Sequence, residues 1–185
     1  MVDQDKVRRA VALLLEGIGE DPAREGLRET PDRVARMYAE LMGGMGSDAS
    51  EHLFKTFEVA EDGIVIERDI AFHSLCEHHL LPFYGSVVIG YLPDGRVAGL
   101  SKLARTVEVF ARRLQLQERM CAQIADALMD GLGCKGAIVL VEAEHMCMTM
   151  RGVRKPGTRT VTLARRGAFA EDPALEERFF RMLGR

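Results

Sequence analysis

The sequence has no long apolar run, and this excludes one class of protein at once. No stretch approaches the roughly 20 consecutive apolar residues that a helix needs to cross a bilayer. The first residues, Met1 to Asp5, also lack a basic segment followed by an apolar run. We therefore expect a cytoplasmic protein with no membrane partner.

Cysteine and net positive charge are scarce as well. Four cysteines in 185 residues are too few for a disulfide scaffold, and clustered cysteines in a reducing compartment more often bind metal. The net charge of −3 argues against a general nucleic-acid binder, which needs a broad basic surface. A local basic pocket for a small anion is still compatible with this charge.

What is present indicates an α+β protein. Apolar residues at helical spacing predict an N-terminal helical arm over residues 1–50, and residues 51–185 are predicted to form the main domain. Within that domain the order is strand pair, two helices, strand pair, which is typical of an antiparallel four-stranded sheet with two helices on one face. The predicted strands are residues 63–68, 86–92, 97–100, 135–150 and 158–164.

Two short clusters of cysteine and histidine dominate the functional interpretation. The first cluster is Cys76-Glu77-His78-His79, and the second, far along the chain, is His145-Met146-Cys147. Thiolate and imidazole suit Zn²⁺, and two cysteines with one histidine would leave a fourth tetrahedral position for water. The same ligands also accept Fe²⁺.

The clusters can meet if the local structure allows it. Pro82 and Gly85 predict a turn that would let Cys76 and a following histidine curl around one ion. His145 and Cys147 stand two apart on a predicted strand, so both would face the same side. A closed structural site with two cysteines and two histidines is the main alternative, and a Cys76–Cys147 disulfide is a minor one.

The cysteines and histidines outside the two clusters have a different interpretation. Buried cysteine behaves as a small hydrophobe, and a lone histidine is more often a satisfied core residue than a ligand. We therefore interpret Cys121, Cys134, His52 and His73 as core residues.

A possible anion site begins where the chain turns from strand into helix. Ser101 is predicted as the N-cap of this helix, and Lys102 and Arg105 would lie on one of its faces. Arg151 follows the second metal cluster and could point to the same region. For Lys102 and Arg105 taken alone, a solvated helix face is the simpler interpretation.

Gln117-Glu118 stands between the two central helices. A carboxylate there could accept hydrogen bonds from N1–H and the exocyclic amine of guanine as a bidentate pair. Taken alone, such a dipeptide near a helix start more often caps the helix or lies on the surface.

These motifs together resemble the GTP cyclohydrolase I family. The resemblance spans about Gly19 to Gly167 and rests on five segments, with one departure at Leu163-Ala164, where a serine is expected after the threonines. The segments are Asp21 to Val34, His73 to Gly85, Gly99 to Arg105, Gln115 to Glu118 and His145 to Gly152.

The resemblance implies a tunnelling fold and a set of residue roles. Zinc would be bound by Cys76, His79 and Cys147. The catalytic residues would be His78, His145 and Ser101. Guanine would be held by Gln117 and Glu118, and the triphosphate or ribose by Ser101, Lys102, Arg105 and Arg151.

The implied reaction is the first step of pterin and folate synthesis. Hydroxide supplied by the zinc would attack C8 of GTP while His145 protonates N7, formate would leave, and the opened ribose would close into 7,8-dihydroneopterin triphosphate. The implied assembly is a homodecamer with active sites shared between subunits. Two alternatives are a nitrile reductase of the same fold and a non-catalytic zinc module.

Overall fold

The computed structural model describes residues 2–184, so Met1 and Arg185, the outer ends of the two predicted regions, lie outside it. Its elements are α1 (Gln4–Gly17), α2 (Thr30–Leu41), α3 (Ser50–Leu53), β1 (Thr56–Glu58), β2 (Val65–Cys76), β3 (Pro82–Leu92), β4 (Arg96–Ala98), α4 (Leu100–Ala111), β5 (Leu114–Gln115), α5 (Gln117–Leu132), β6 (Gly136–His145), α6 (Met146–Thr149), β7 (Thr160–Gly167), α7 (Ala168–Glu171) and α8 (Pro173–Met182).

The main sheet has the order β5-β2-β3-β6-β7. Its four long strands are antiparallel to their neighbours, as the sequence predicts. The two-residue β5 adds a short parallel pairing beside the end of β2, which the sequence does not predict. β1 and β4 form a separate two-stranded ribbon. The α+β class and the antiparallel sheet are thus confirmed.

The larger core lies between the sheet and the two long helices α4 and α5. Its fully buried helical residues repeat at three- and four-residue spacing and include Leu103, Val107, Met120, Ile124 and Leu128. Alternate strand residues such as Val87, Ile89, Val139 and Val141 face them. The expected placement of two helices on one face is confirmed.

The opposite face of the sheet also carries a helix. Val88, Ile138 and Leu140 point away from the larger core and pack with Phe169 of α7 and Phe179 of α8. This alternation makes the centre of β6 apolar on both faces, as its continuous apolar sequence predicts. The sequence also predicts a short terminal helix, but not the face that it covers.

The N-terminal arm consists of α1 packed on α2. Asp3 caps α1 by accepting from the Lys6 amide, and Arg8 and Asp32 join the two helices through an ion pair of 2.5 Å. Leu80 of the main domain lines an apolar groove between the two helices. Within residues 2–184, no helix is both long enough and apolar enough to cross a bilayer.

Two predicted element boundaries around the site are wrong. β6 ends at His145, and Cys147 lies in the one-turn helix α6 and not on a strand with His145. Pro82 begins β3 and is not part of a turn; proline is tolerated at the first position of a strand because few ladder bonds are lost there. The turn is therefore residues 77–81.

Two predicted helix ends also shift. Gly99 is the N-cap of α4, so Ser101 is its second residue and does not cap it. α5 continues past Gly131 to Leu132, and Gly133 takes the left-handed conformation with φ 59°. Gly131 instead packs tightly, since a Cβ there would lie 2.7 Å from Leu53 Cβ.

Candidate metal centre and substrate site

Three chain segments bring a cysteine, a histidine and a second cysteine together at one end of the sheet. β2 ends at Cys76, the following turn carries His79, and α6 carries Cys147 directly after β6. The potential ligand atoms of the three residues all lie within 4.8 Å of one another. Two thiolates and one imidazole of a tetrahedral zinc site lie about 3.5 Å apart, so a small contraction would complete the coordination.

The turn after β2 is held by backbone hydrogen bonds at both ends. Cys76 donates its amide to Leu81 at 2.9 Å, and Leu80 donates to the Cys76 carbonyl at 2.9 Å. Leu80 adopts a left-handed φ of 54°, which is uncommon for a residue other than glycine. The Glu77 amide donates to Gln115 at 3.1 Å, which ties the turn to β5.

A side-chain network reinforces the same turn. Arg119 of α5 bonds the Glu77 carboxylate and donates to Gln115 Oε1 at 3.1 Å. Gln115 in turn donates to Gln123 and to the Phe110 carbonyl, both at 2.9 Å. The position of His79 is therefore fixed by the beginning of α5 and by β5 as well as by β2.

The second cysteine reaches the site because the chain forms the one-turn helix α6 directly after β6. Cys147 is half-buried while Cys76 is buried. Burial, and then the neighbouring Cys76, raises the pKa of the Cys147 thiol. A divalent cation would have the opposite effect, since a coordinating thiol is deprotonated outright.

The two histidines of the first cluster are both exposed, and their rings lie nearly perpendicular with centroids 6.3 Å apart. Arg151 places Nη1 3.1 Å from His79 Nε2. Arg151 thus lies beside the candidate metal ligands.

His145 is half-buried and held on two sides. Its ring stacks on Phe83 with a centroid distance of 4.7 Å and an interplanar angle of 2°. Its Nε2 lies 2.7 Å from Gln117 Oε1. Burial lowers the pKa of His145, and the negative charge of Glu118 opposes this shift.

Gln117 is buried, and its side chain is fully engaged. Its Nε2 donates to the carbonyls of Val141 and Thr160, both at 3.0 Å, and to Thr162 Oγ1 at 3.2 Å. The side-chain contact with guanine that the resemblance implies stays a prediction, and in this arrangement it would have to displace these partners. The amide groups of the first turn of α5, which begins at Gln117, have no acceptor within the helix and can still bind a ligand.

Glu118 lies on the surface next to Gln117. It lines an open cleft of about 550 Å³ together with Thr162, Leu163 and Arg166. The contact of this carboxylate with a base edge stays a prediction.

The remaining cations lie elsewhere. Ser101, Lys102 and Arg105 belong to the beginning of α4, whereas the end of α4 leads to β5, which pairs with Leu75 and Cys76. At a rise of 1.5 Å per residue, the 12 residues of α4 separate its two ends by about 18 Å. Arg105 instead lines a cleft with Gly43, Gly44 and His52. One chain therefore does not bring these three residues to the metal ligands.

The four isolated candidates divide evenly. Cys121 and Cys134 are buried in the larger core, which confirms their interpretation. His73 is exposed and stacks on Tyr84 at 5.8 Å, and His52 is half-buried at a cleft, so the interpretation of both as core residues is wrong.

Sequence reasoning missed three contributors to the site. Phe83 supports the His145 ring, Thr162 bonds Gln117, and Arg119 holds the metal-binding turn. Arg119 directly follows the Gln117-Glu118 pair, so its position in the sequence could have indicated a role in the site. Phe83 and Thr162 offered no such indication, because their roles depend on strand pairing.

Comparisons with known proteins give a consistent result. The family model for GTP cyclohydrolase I matches residues 7–184. The chain is 58% identical to GTP cyclohydrolase 1 of Streptococcus pneumoniae (strain ATCC BAA-255 / R6) over 183 residues, which are 99% of this chain and 100% of that protein. With the same coverage it is 59% identical to GTP cyclohydrolase 1 of Finegoldia magna and 59% identical to that of Streptococcus sanguinis.

Among solved structures, the chain is similar to the archaeosine synthase QueF-Like in the apo form. The identity is 15% and the TM-score 0.45, and the match covers 58% of this chain and 97% of the other.

Proposed function

Because this chain belongs to the GTP cyclohydrolase I family and is an enzyme with GTP cyclohydrolase activity, we propose that it opens the imidazole ring of GTP by a zinc-dependent hydrolysis. The products are formate and 7,8-dihydroneopterin triphosphate. The observation that supports zinc binding is the proximity of Cys76, His79 and Cys147, whose potential ligand atoms lie within 4.8 Å of one another. Fe²⁺ fits the same ligands.

The donor set favours a catalytic ion. Two thiolates and one imidazole would leave one tetrahedral position of a zinc ion open, and a zinc ion held by these three residues would supply hydroxide at neutral pH for attack on C8. The closed alternative needs His145 or His78 as a fourth ligand. His145 Nε2 is taken by Gln117, which argues against it as that ligand.

The residues around the metal divide the remaining work. His145 acts on the purine through Nδ1, because its Nε2 is held by Gln117. The neutral ring takes up a proton from solvent at Nδ1 and passes this proton to N7 of the purine. His78 is exposed beside His79 and moves protons during the later rearrangement of the ribose. Glu118 holds the N1 and exocyclic amine edge of guanine, and the amides at the beginning of α5 lie next to it.

The phosphate-binding groups come from more than one chain in this proposal. Arg151 lies beside His79, but Ser101, Lys102 and Arg105 lie near the far end of α4. A complete site then requires a neighbouring subunit that presents its own α4 terminus. This agrees with the homodecamer that the family resemblance implies.

The sheet offers a route to such assembly. Within residues 2–184, β7 pairs only with β6, and β2 pairs on its outer side only with the two-residue β5. Both edges of the sheet thus expose backbone groups that a second copy can pair with. β7 also carries Val161, whose exposure of 55% suits a covered edge.

Metal analysis combined with a GTP assay tests the proposal. Protein purified under reducing, anaerobic conditions is expected to hold about one zinc or iron per chain and to release formate as the pterin absorbance appears. The Cys147→Ala variant should lose both the metal and the activity. Cys134→Ala is the matched control, because Cys134 is buried away from the site and its removal should leave both unchanged.

Two further variants separate chemistry from metal binding. His145→Ala and His78→Ala should keep the metal and lose about 100-fold or more of the rate of product formation, the usual contribution of a general acid or base. Full formate release by either variant would refute the role given to that histidine. A metal coordinated by four side chains would refute the hydrolytic mechanism itself.

A further inference from the structure

We infer that Gln117 is a positioning residue, which holds His145 in one tautomer through its side chain and does not use that side chain to recognise guanine. This inference rests on the proposed function, since it concerns the histidine that acts beside the metal. It changes the role of one residue and leaves the reaction as proposed.

The orientation of the Gln117 amide follows from its neighbours. Its nitrogen lies 3.0 Å from the carbonyl oxygens of Val141 and Thr160. Carbonyl oxygens only accept hydrogen bonds, so the group facing them must be the amide NH₂. The opposite orientation would set three oxygen atoms against one another. Oε1 is therefore the atom that faces His145.

The tautomer of His145 then follows from the orientation of Gln117. Oε1 has no hydrogen to give, so the contact of 2.7 Å with His145 Nε2 requires that Nε2 carries a proton. In the neutral ring this leaves the lone pair on Nδ1. The stacking of the ring on Phe83 fixes its plane, and Gln117 fixes which nitrogen is available.

The hydrogen bonds of the Gln117 side chain join parts of the chain that are far apart in sequence. Gln117 begins α5, Val141 belongs to β6, and Thr160 and Thr162 belong to β7. Gln117 is only 1% exposed; its bond to the Val141 carbonyl is buried and its other three bonds are partly buried, where hydrogen bonds keep more of their strength than in open water. A small molecule could compete for this side chain only by breaking four contacts in the interior.

The inference separates two kinds of kinetic result. If the Gln117 side chain bound guanine, its loss would weaken substrate binding and raise KM. If it positions His145, its loss leaves substrate binding intact and lowers kcat. Partners of this supporting kind typically contribute 10- to 100-fold to activity, so we expect kcat to fall by about that factor.

The principal variant is Gln117→Met, which keeps the length of the side chain and removes its hydrogen bonds. We expect a fall in kcat of about 10- to 100-fold, a KM for GTP within about threefold of wild type, and an unchanged metal content. Gln4→Met is the matched control, because it makes the same substitution at an exposed residue of α1 that has no role in the proposed site. It should retain nearly full kcat.

A double-mutant cycle excludes a merely structural effect. In a His145→Ala background there is no imidazole to position, so Gln117→Met should cause no further loss of the residual rate. Independent, multiplying losses would overturn the inference, and so would a raised KM with unchanged kcat.

A spectroscopic readout is independent of turnover. In zinc-loaded protein labelled with ¹⁵N-histidine, the resonances of His145 can be assigned by their absence in His145→Ala. Wild type and Gln4→Met should show a protonated Nε2 and an unprotonated Nδ1, whereas Gln117→Met should show a mixture of tautomers. A single unchanged tautomer in Gln117→Met would overturn the inference. The metal-dependent activity of wild type tests the proposed function separately.

Discussion

The chemistry of individual side chains depends on where the fold leaves them exposed, and the four cysteines illustrate this. Cys121 and Cys134 lie in the core, Cys76 is buried at the end of β2, and Cys147 is half-buried in α6. Burial raises the pKa of Cys121 to about 11. At pH 8 only about one Cys121 thiol in a thousand is therefore a thiolate, the form that reacts with alkylating reagents.

This difference predicts a labelling pattern. In the folded protein at pH 8, iodoacetamide should not modify Cys121, whether or not the metal has been removed by a chelator. Cys147 should be protected in the metal-bound protein and become modified after chelation. Peptide mapping by mass spectrometry measures both sites, and the urea-unfolded protein, in which all four cysteines react, is the control. Rapid modification of Cys121 in the folded protein would contradict its burial.

The residues of the site differ in how far the sequence predicts them. The spacing of cysteine and histidine in the two clusters predicts a metal site, because ligands that are close in sequence need only a turn to meet. The choice of His79 and not His78 as the ligand is implied only by the family resemblance. The role of Gln117 could not be predicted in this way. Its partners Val141, Thr160 and Thr162 lie 24 to 45 positions later, and only the pairing of β6 with β7 brings them to it.

At the scale of elements, the close pairing of β3 with β6 determines where the site is built. Phe83 pairs with His145, and two residues further along Gly85 pairs with Ala143. A Cβ at Gly85 would lie 1.9 Å from the Glu142 carbonyl oxygen and 2.7 Å from Ala143 Cα. Both atoms belong to the backbone, so the strands themselves would have to move apart.

We therefore expect Gly85→Ala to lower the free energy of unfolding by more than about 3 kcal/mol, or to prevent folding. Gly63→Ala is the matched control, since a Cβ there meets no atom within 4 Å. Denaturant unfolding followed by circular dichroism measures both variants. Should Gly85→Ala unfold at the denaturant concentration of wild type, the close approach of the two strands would be wrong.

The sequence predicts the types of these elements better than their ends. Alternation and β-branched residues identify β3 and β6, but the pattern contains no signal that β6 stops at His145. The following residues, Met146 to Thr149, coil into α6 because tertiary contacts outweigh local preference over so short a segment. The consequence matters for the site, because the coil and not an extended strand carries Cys147 to Cys76.

At the scale of the whole molecule, the described chain holds two incomplete sets of functional groups. Cys76, His79, Cys147 and Arg151 lie at one end of the sheet, and Lys102 lies near the other end of α4. The sequence predicts the residues of both sets from short motifs, although it groups Arg151 with Lys102. Their separation could not be predicted, since it depends on the direction in which α4 crosses the sheet.

Complementation between inactive variants tests whether two chains share a site. His79→Ala removes a metal ligand, and Lys102→Ala removes a cation near the other end of α4, so each variant alone should be inactive. When they are co-expressed in equal amounts, about a quarter of the shared sites should combine two intact halves and recover activity. Formate release normalised to total protein is the measurement.

Two results would refute the shared site. One is the absence of any recovered activity in mixed oligomers whose composition mass spectrometry has verified. The other is a stable monomer, identified by light scattering, that turns over GTP at the rate of the assembled protein. Mixing the separately purified variants without subunit exchange is the control and should yield no activity.

The span of α4 has a consequence for how turnover varies with the amount of protein. If the two ends of this helix serve different active sites, a newly made chain has no activity until it associates with other subunits. Where association is incomplete, the rate of product formation would then rise more steeply than the protein concentration. Dilution would lower the activity without changing the fold of each subunit. Under this condition, the length of α4, about 18 Å, would make the rate per chain depend on the protein concentration.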